Sequence, residues 1–286
     1  MVNFNSRLKD TRLHKFLLIG LFFSLVASCS GEKIDNGQVF RMPISNEPPT
    51  LDWSLATDSV SFDILTNIME GLTQYDSNME PVPAIAKRWE ISKNGKTITY
   101  YLRDDVFWTD GEPVTAHDFE YSWKRLLNPA TAAQYAYFLF DVENAQEFNS
   151  GKISDPSKVG VSAKTDHILE VRLKKPVVYF PSITTFMVTF PQRKDIVEKF
   201  GDHWTDPENI VTNGPFKLSA WEHEYKLILT ANENFYEGRP PLDTILAYVI
   251  REKTTALTLY ETGELEMVEL PPVAIPHFKN HDEYEN

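Results

Sequence analysis

The stretch RWEISKNGKTITYYL, residues 88–102, limits the fold more than any other feature of this chain. Asn94-Gly95 divides two runs whose side chains alternate in character, and Asn-Gly accepts the positive φ angles of a tight turn. A β-hairpin is therefore predicted there. A second is predicted in KVGVSAKTDHILEVRLKKPV, with Leu169, Val171 and Leu173 on one face, and a third in PFKLSAWEHEYKLILTAN, turning near His223-Glu224. VFRMPI, residues 39–44, reads as a further short strand.

Helical patterns lie between these hairpins. In SVSFDILTNIMEGL, Phe62, Leu65, Ile68/Met69 and Leu72 recur at helical spacing, with Gly71 as the stop, and Pro48-Pro49 hold the preceding segment extended. In WTDGEPVTAHDFEYSWKRLLNP a turn at Asp110-Gly111 leads into a Thr115/Asp118 capping pattern, an acid standing in for the usual Glu. Phe119, Trp123, Leu126 and Leu127 share one face, Glu120 and Lys124 are spaced to pair on another, and Pro129 closes the helix. The tail predicts a strand ILAYVIR, a helix TTALTLYET stopped by Gly263, and a strand ELEMVEL, the parts of an α/β unit.

At 286 residues and 42% hydrophobic content, the chain is long enough for two folding units, and 13% aromatic content belongs to a globular protein. A net charge of −13 argues against a nucleic-acid or anionic-membrane surface. Residues 1–28 have the form of a secretion signal: four basic residues precede FLLIGLFFSLVA, which is short for a bilayer span and ends in small residues. Cys29, the only cysteine, excludes an intrachain disulfide, and VASC resembles the lipobox of bacterial lipoproteins, implying cleavage before Cys29 and lipidation of its thiol. With the polar residues 30–38 that follow, Cys29 then forms a tether, residues 29–38.

Catalytic patterns are missing from the sequence: no G-x-S-x-G, no H-E-x-x-H, no Gly-rich phosphate loop and no cysteine pair for zinc. His117, His167, His203 and His223 are scattered one per element, and surface or capping roles are expected of them. Asp104, Asp105 and Asp110 suggest a carboxylate group by proximity, but they flank a strand end and a turn, so solvated turn residues are expected. His277 and His281 lack a third ligand. No enzyme, cofactor or metal is expected. The aromatics at turns and edges, among them Trp53, Trp89, Trp108, Trp123, Trp204, Trp221, Tyr135, Tyr137, Phe138 and Phe140, are expected mostly in the core, with a minority lining a cleft.

In order along the chain, EPPTLDW, MEGLTQYD, PVPAIAKRWEISKNGKTITYYLRDDVFWTDGEPVTAHDFEYSWKRLLNP, NIVTNGPFKLSAWEHEYKLILTANENFYEG and YETGELEMVELPP resemble the extracytoplasmic solute-binding proteins of oligopeptide ABC transporters. The resemblance covers residues 39 to about 272. It implies an α/β, two-lobed periplasmic-binding-protein-like fold of the class with an extra small domain, here incomplete and missing its C-terminal lobe. Residues 39–69 and 190–270 would form the base lobe, 70–189 the extra domain, and 271–286 the start of the second lobe. It further implies a lipid-anchored receptor in the periplasm or at the cell surface, monomeric, that hands oligopeptides to ABC permease subunits in the cytoplasmic membrane. Main-chain hydrogen bonding would supply affinity with little reading of ligand side chains. By the same resemblance Thr57, Asp58 and Ser59 run along the ligand, with Thr57 replacing an acidic residue of some relatives, and Tyr135 and Tyr260 line it. Core packing is the alternative for both tyrosines, and an ordinary loop-to-helix entry is the alternative for residues 46–59. Without a second lobe, weak binding and uncovered apolar surface are expected, and a truncated surface lipoprotein with an interaction role and no transport function is the competing reading.

Overall fold

The computed structural model describes residues 38–279, so the expected leader, Cys29 and the expected tether through Gly37 lie outside the described residues, as does His281. Within them the mixed α/β architecture expected from the sequence is present. Two four-stranded sheets and one two-stranded ribbon carry the strands.

The first sheet contains β1 (Val39–Ile44), β8 (Phe216–Glu222), β9 (Lys226–Ala231) and β10 (Thr244–Val249), in the order β1-β10-β9-β8. Its β1/β10 pair is parallel and the rest antiparallel. The β8/β9 turn falls where the sequence placed it: Glu224 takes φ 60°, and Tyr225 N–H closes on the Glu222 carbonyl at 3.0 Å. Helix α1 (Ser59–Ile68) packs on β8.

The second sheet is antiparallel, with β4 (Ala86–Ile91), β5 (Thr97–Leu102), β7 (Ile168–Arg172) and β6 (Val161–Thr165) side by side in that order. Gly95 has φ +70° in the predicted turn, and a Cβ there would sit 2.8 Å from Pro176, so both backbone conformation and space favour glycine. Ile98, Tyr100 and Leu102 alternate into the core from β5, as do Leu169 and Val171 from β7. Helix α2 (Ala116–Leu127) lies across β6 and β7 and buries Phe119, Trp123, Leu126 and Leu127, the face read from the sequence. Glu120 pairs with Lys124 as expected. A short ribbon of β2 (Thr73–Tyr75) and β3 (Pro81–Pro83) joins the regions around the two sheets. Buried side chains of both sheets belong to one continuous core, whose bulkiest members are Trp53, Trp108, Trp123, Tyr100, Phe119 and Phe180.

The Asp118 carboxylate accepts from the Thr115 N–H at 2.8 Å and its hydroxyl at 3.0 Å, the reciprocal half of the predicted cap. Replacing Asp118 by alanine orphans both donors and is expected to cost about 1–2 kcal/mol in urea unfolding.

Two expected elements differ. Helix α1 stops at Ile68 instead of continuing toward Gly71, because Met69 turns extended at φ −134° and ψ 152°. Tertiary partners take over the helix end: Gly214 N–H donates to the Ile68 carbonyl at 2.9 Å, and Glu70 N–H donates to Asn213 Oδ1 at 2.9 Å. The segment ELEMVEL, residues 264–270, is not a strand. After α6 (Lys253–Glu261) it passes the free edge of β1, where the Glu266 N–H donates to the Arg41 carbonyl at 2.9 Å. Glu266 also caps the Arg41 N–H with its own carboxylate, so a side chain occupies a place that a strand's backbone would take.

Candidate functional site

The chain approaches α1 through a tight turn. The Asp52 carbonyl accepts the N–H groups of both Leu55 and Ala56 at 2.8 Å, which delivers Thr57, Asp58 and Ser59 to the helix entrance. Asp58 is the N-cap, extended at φ −114° and ψ 155°, and its carboxylate accepts from Ser61 N–H at 2.8 Å and the Ser61 hydroxyl at 2.7 Å. Its carboxylate is thus committed to the helix. Thr57 is half-buried and Ser59 exposed.

Tyr135 stands beside this segment, its hydroxyl donating to the Thr57 carbonyl at 3.3 Å. The three-residue segment and Tyr135 are therefore brought together from positions nearly eighty residues apart in the chain. Around Tyr135 lie the rings of Phe62, Tyr137, Phe138 and Phe186, at centroid distances of 6.2, 5.9, 5.7 and 5.9 Å. Tyr137 stacks on Phe138 at 4.8 Å and is 55% exposed, so the cluster opens to solvent on that side. Phe62 and Phe186 were not distinguished by sequence reasoning; Phe62 lay in the helical repeat, and Phe186 lies in a segment without periodicity.

Ser59 also lines a cavity of 280 Å³ at the carboxyl ends of the parallel strands β1 and β10, with Ile44, Asp63, Ile250, Lys253 and Met267 among its walls. That end of an open α/β sheet is where ligands commonly bind. Burial, helped by the nearby Asp58 charge, holds the Asp63 carboxyl above its usual range. Lys253 is tied to Glu269 at 2.5 Å, so the wall carries both signs of charge. Tyr260 sits half-buried on α6, a separate element whose share of this cavity comes from Lys253 and Ala256.

A larger hollow of 760 Å³ lies elsewhere, between α2, α5 (Lys194–Phe200) and the loop near Ser154. Its cations are each matched by an acid, Lys124 by Glu120, Arg125 by Asp52 and Lys194 by Glu198. The histidines remain dispersed: His117 faces Asp166 at 3.4 Å, His203 faces Asp206 at 2.9 Å and His223 faces Glu47 at 2.6 Å. Asp104 and Asp105 are exposed, and Asp110 pairs with Arg193 at 3.0 Å. Among the described residues, no group of three or more His, Cys, Asp or Glu is placed to hold a metal ion, and no helix is long and apolar enough to cross a membrane.

The fold has counterparts among known proteins. A family model described as bacterial extracellular solute-binding proteins, family 5 middle, matches residues 80–286. The dipeptide-binding protein DppE of Bacillus subtilis is 34% identical over 268 residues, 89% of this chain and 49% of that protein. The periplasmic oligopeptide-binding protein OppA of Salmonella typhimurium is 38% identical over 208 residues, 72% of this chain and 38% of its own length. The crystal structure of Haemophilus influenzae OppA in complex with RPPGFSPFR superposes with a TM-score of 0.80 at 34% identity, over 86% of this chain and 48% of that one. The chain spans about half the length, or less, of the relatives it matches.

Proposed function

This chain belongs to the bacterial extracellular solute-binding proteins of family 5, and from that premise we propose that it captures oligopeptides outside the cytoplasmic membrane for an ABC importer. The observation that carries this reading is the Thr57-Asp58-Ser59 entrance to α1, extended at Asp58 and held through the Thr57 carbonyl by Tyr135 beside an open aromatic cluster. Backbone that is extended ahead of a helix offers peptide groups to a ligand backbone, and pairing of that kind tolerates varied side chains. The rings beside it suit apolar ligand side chains, and the cavity under Ser59 is roomy enough for water-bridged polar ones. Tyr260, from α6, is proposed as a second lining aromatic on the strength of resemblance alone.

In this reading residues 39–69 and 190–270 form a base lobe and 70–189 an additional domain. Closure against a second lobe completes the ligand site, lipidated Cys29 keeps the receptor in the periplasm or on the cell surface, and its partner is the importer's permease. It works as a monomer that binds without turnover. The test is the full-length native gene product mixed with di- to nonapeptides, read by thermal shift and tryptophan fluorescence. Peptide at a hundred times Kd is expected to stabilise the folded protein by about 2.7 kcal/mol. No shift with any peptide up to millimolar concentration would remove peptide capture as the function.

A further inference from the structure

Asp52 is buried, with only 5% of its surface exposed, and both carboxylate oxygens are in use. Arg125 on α2 grips it with two guanidinium nitrogens, at 2.9 Å on Oδ1 and 2.6 Å on Oδ2. Ser54 N–H donates to Oδ1 at 3.0 Å, and Trp204 Nε1 lies 3.3 Å from Oδ2. Gln192 closes the group, donating to the Ser54 hydroxyl at 3.1 Å. The adjoining Phe190 carbonyl accepts the Ser122 hydroxyl at 2.6 Å and faces Trp53 Nε1 at 3.4 Å, so the 190–192 segment is stapled to α2 on one side and to residues 52–54 on the other.

We propose that the Asp52–Arg125 pair, with Gln192, is a positioning device that sets where Thr57, Asp58 and Ser59 stand. The same Asp52 whose side chain is fixed by α2 carries the carbonyl that accepts the Leu55 and Ala56 N–H groups. Five residues on from Asp52, Tyr135 bonds the Thr57 carbonyl, and Tyr135 lies in the second of two short 3-10 turns, Pro129–Thr131 and Gln134–Leu139, that follow the C-terminus of α2. The ligand-facing segment is therefore suspended between two attachments that both lead back to α2. A bidentate buried pair suits that task, since its two parallel bonds fix orientation as well as distance. The role in ligand capture rests on the peptide-binding reading; the role in fixing the segment does not.

The test compares full-length wild type with Arg125→Lys, which keeps the charge but loses the two-pronged grip, and with the milder Gln192→Met. Leu169→Ala, buried in the second sheet, serves as a destabilised control. Hydrogen exchange over residues 52–61 is expected to accelerate in both test variants and not in the control, and peptide Kd, measured well below every Tm, is expected to weaken roughly tenfold in Arg125→Lys. Exchange in 52–61 that matches the control overturns the proposal, as does an unchanged Kd in an Arg125→Lys protein whose wild type binds peptide. A wild type that binds no peptide overturns the capture reading instead, and the exchange data then decide the positioning role. If Arg125→Lys does not fold, Gln192→Met carries the exchange comparison.

Discussion

Trp53→Ala is expected to lower unfolding free energy by about 3–5 kcal/mol, the largest loss expected of any single side chain described above. Trp53 has no exposed surface and stands edge-on to Trp204, centroids 4.7 Å apart and planes at 73°. Its neighbours Leu51, Asp52 and Ser54 are buried too, so little can collapse into the cavity left behind. The indole also joins the stretch before α1 to the 190–192 segment through its bond to the Phe190 carbonyl. Trp53→Phe separates these effects. It restores most of the volume and loses only a long hydrogen bond whose acceptor keeps the Ser122 hydroxyl, so roughly half of the loss or more is expected to return. Urea unfolding by far-UV circular dichroism reads both variants. For a protein of this size the alanine variant corresponds to a fall in Tm of about 10 °C, and a loss below about 1 kcal/mol would mean that Trp53 is not a keystone of the core.

What could be read from the sequence follows how far each residue's partner lies. Asn94-Gly95, Thr115 with Asp118, and Glu120 with Lys124 act within a few residues, and each is found where its spacing put it. Periodicity likewise identified the buried faces of α2, β5 and β7, because burial against a single neighbouring layer repeats with the element's own period. The end of α1 was set otherwise, by Asn213 and Gly214 more than 140 residues away. No local signal competes with such partners. A Cβ at Gly214 would lie 2.5 Å from the Ile68 carbonyl carbon, so the glycine permits the close backbone approach that ends the helix. The stretch NIVTNGPFKL did stand out by resemblance, and asking which backbone groups its Asn and Gly approach would have been the route to this joint. ELEMVEL failed for the complementary reason: apolar alternation marks a strand only if a neighbour's edge accepts it, and here the Glu266 side chain binds that edge. At the site, resemblance pointed to Thr57–Ser59 and Tyr135, and the structure joins them. Asp52 went unnoticed inside a Leu-Asp-Trp that reads as loop, its partners scattered at positions 125, 192 and 204.

The joint below α1 leads to the second large effect, a dependence of stability on pH that runs opposite to ordinary acid denaturation. Burial pushes the Glu70 carboxyl from 4.5 up to about 7, with Glu237 adding to the rise. The Tyr236 hydroxyl, donating to Glu70 Oε2 at 2.9 Å, and Arg103 pull it back only in part. The folded protein thus holds a proton on Glu70 over a range in which the unfolded chain has released it. Stability from this group is fully present below about pH 4.5 and is lost as pH rises through about 7. At 1.36 kcal/mol for each pH unit of the gap, the loss approaches about 3 kcal/mol by pH 8. Glu70→Gln keeps a neutral polar group of the same shape facing Tyr236 and has nothing to ionise. It is expected to be more stable than wild type at pH 8 by about 1–3 kcal/mol, and equal to or slightly less stable than wild type at pH 4.5, where both side chains are neutral. Asp195, Glu120 and Asp243, whose carboxyls are held below their ordinary values, act in a lower pH window and in the opposite sense, and they are common to both proteins. The difference between wild type and variant across pH 4.5–8, measured by urea unfolding, therefore isolates Glu70. A difference that stays flat would mean that Glu70 ionises over the same pH range in the folded and unfolded states, Arg103 and Tyr236 offsetting burial, and that burial does not dominate at this joint.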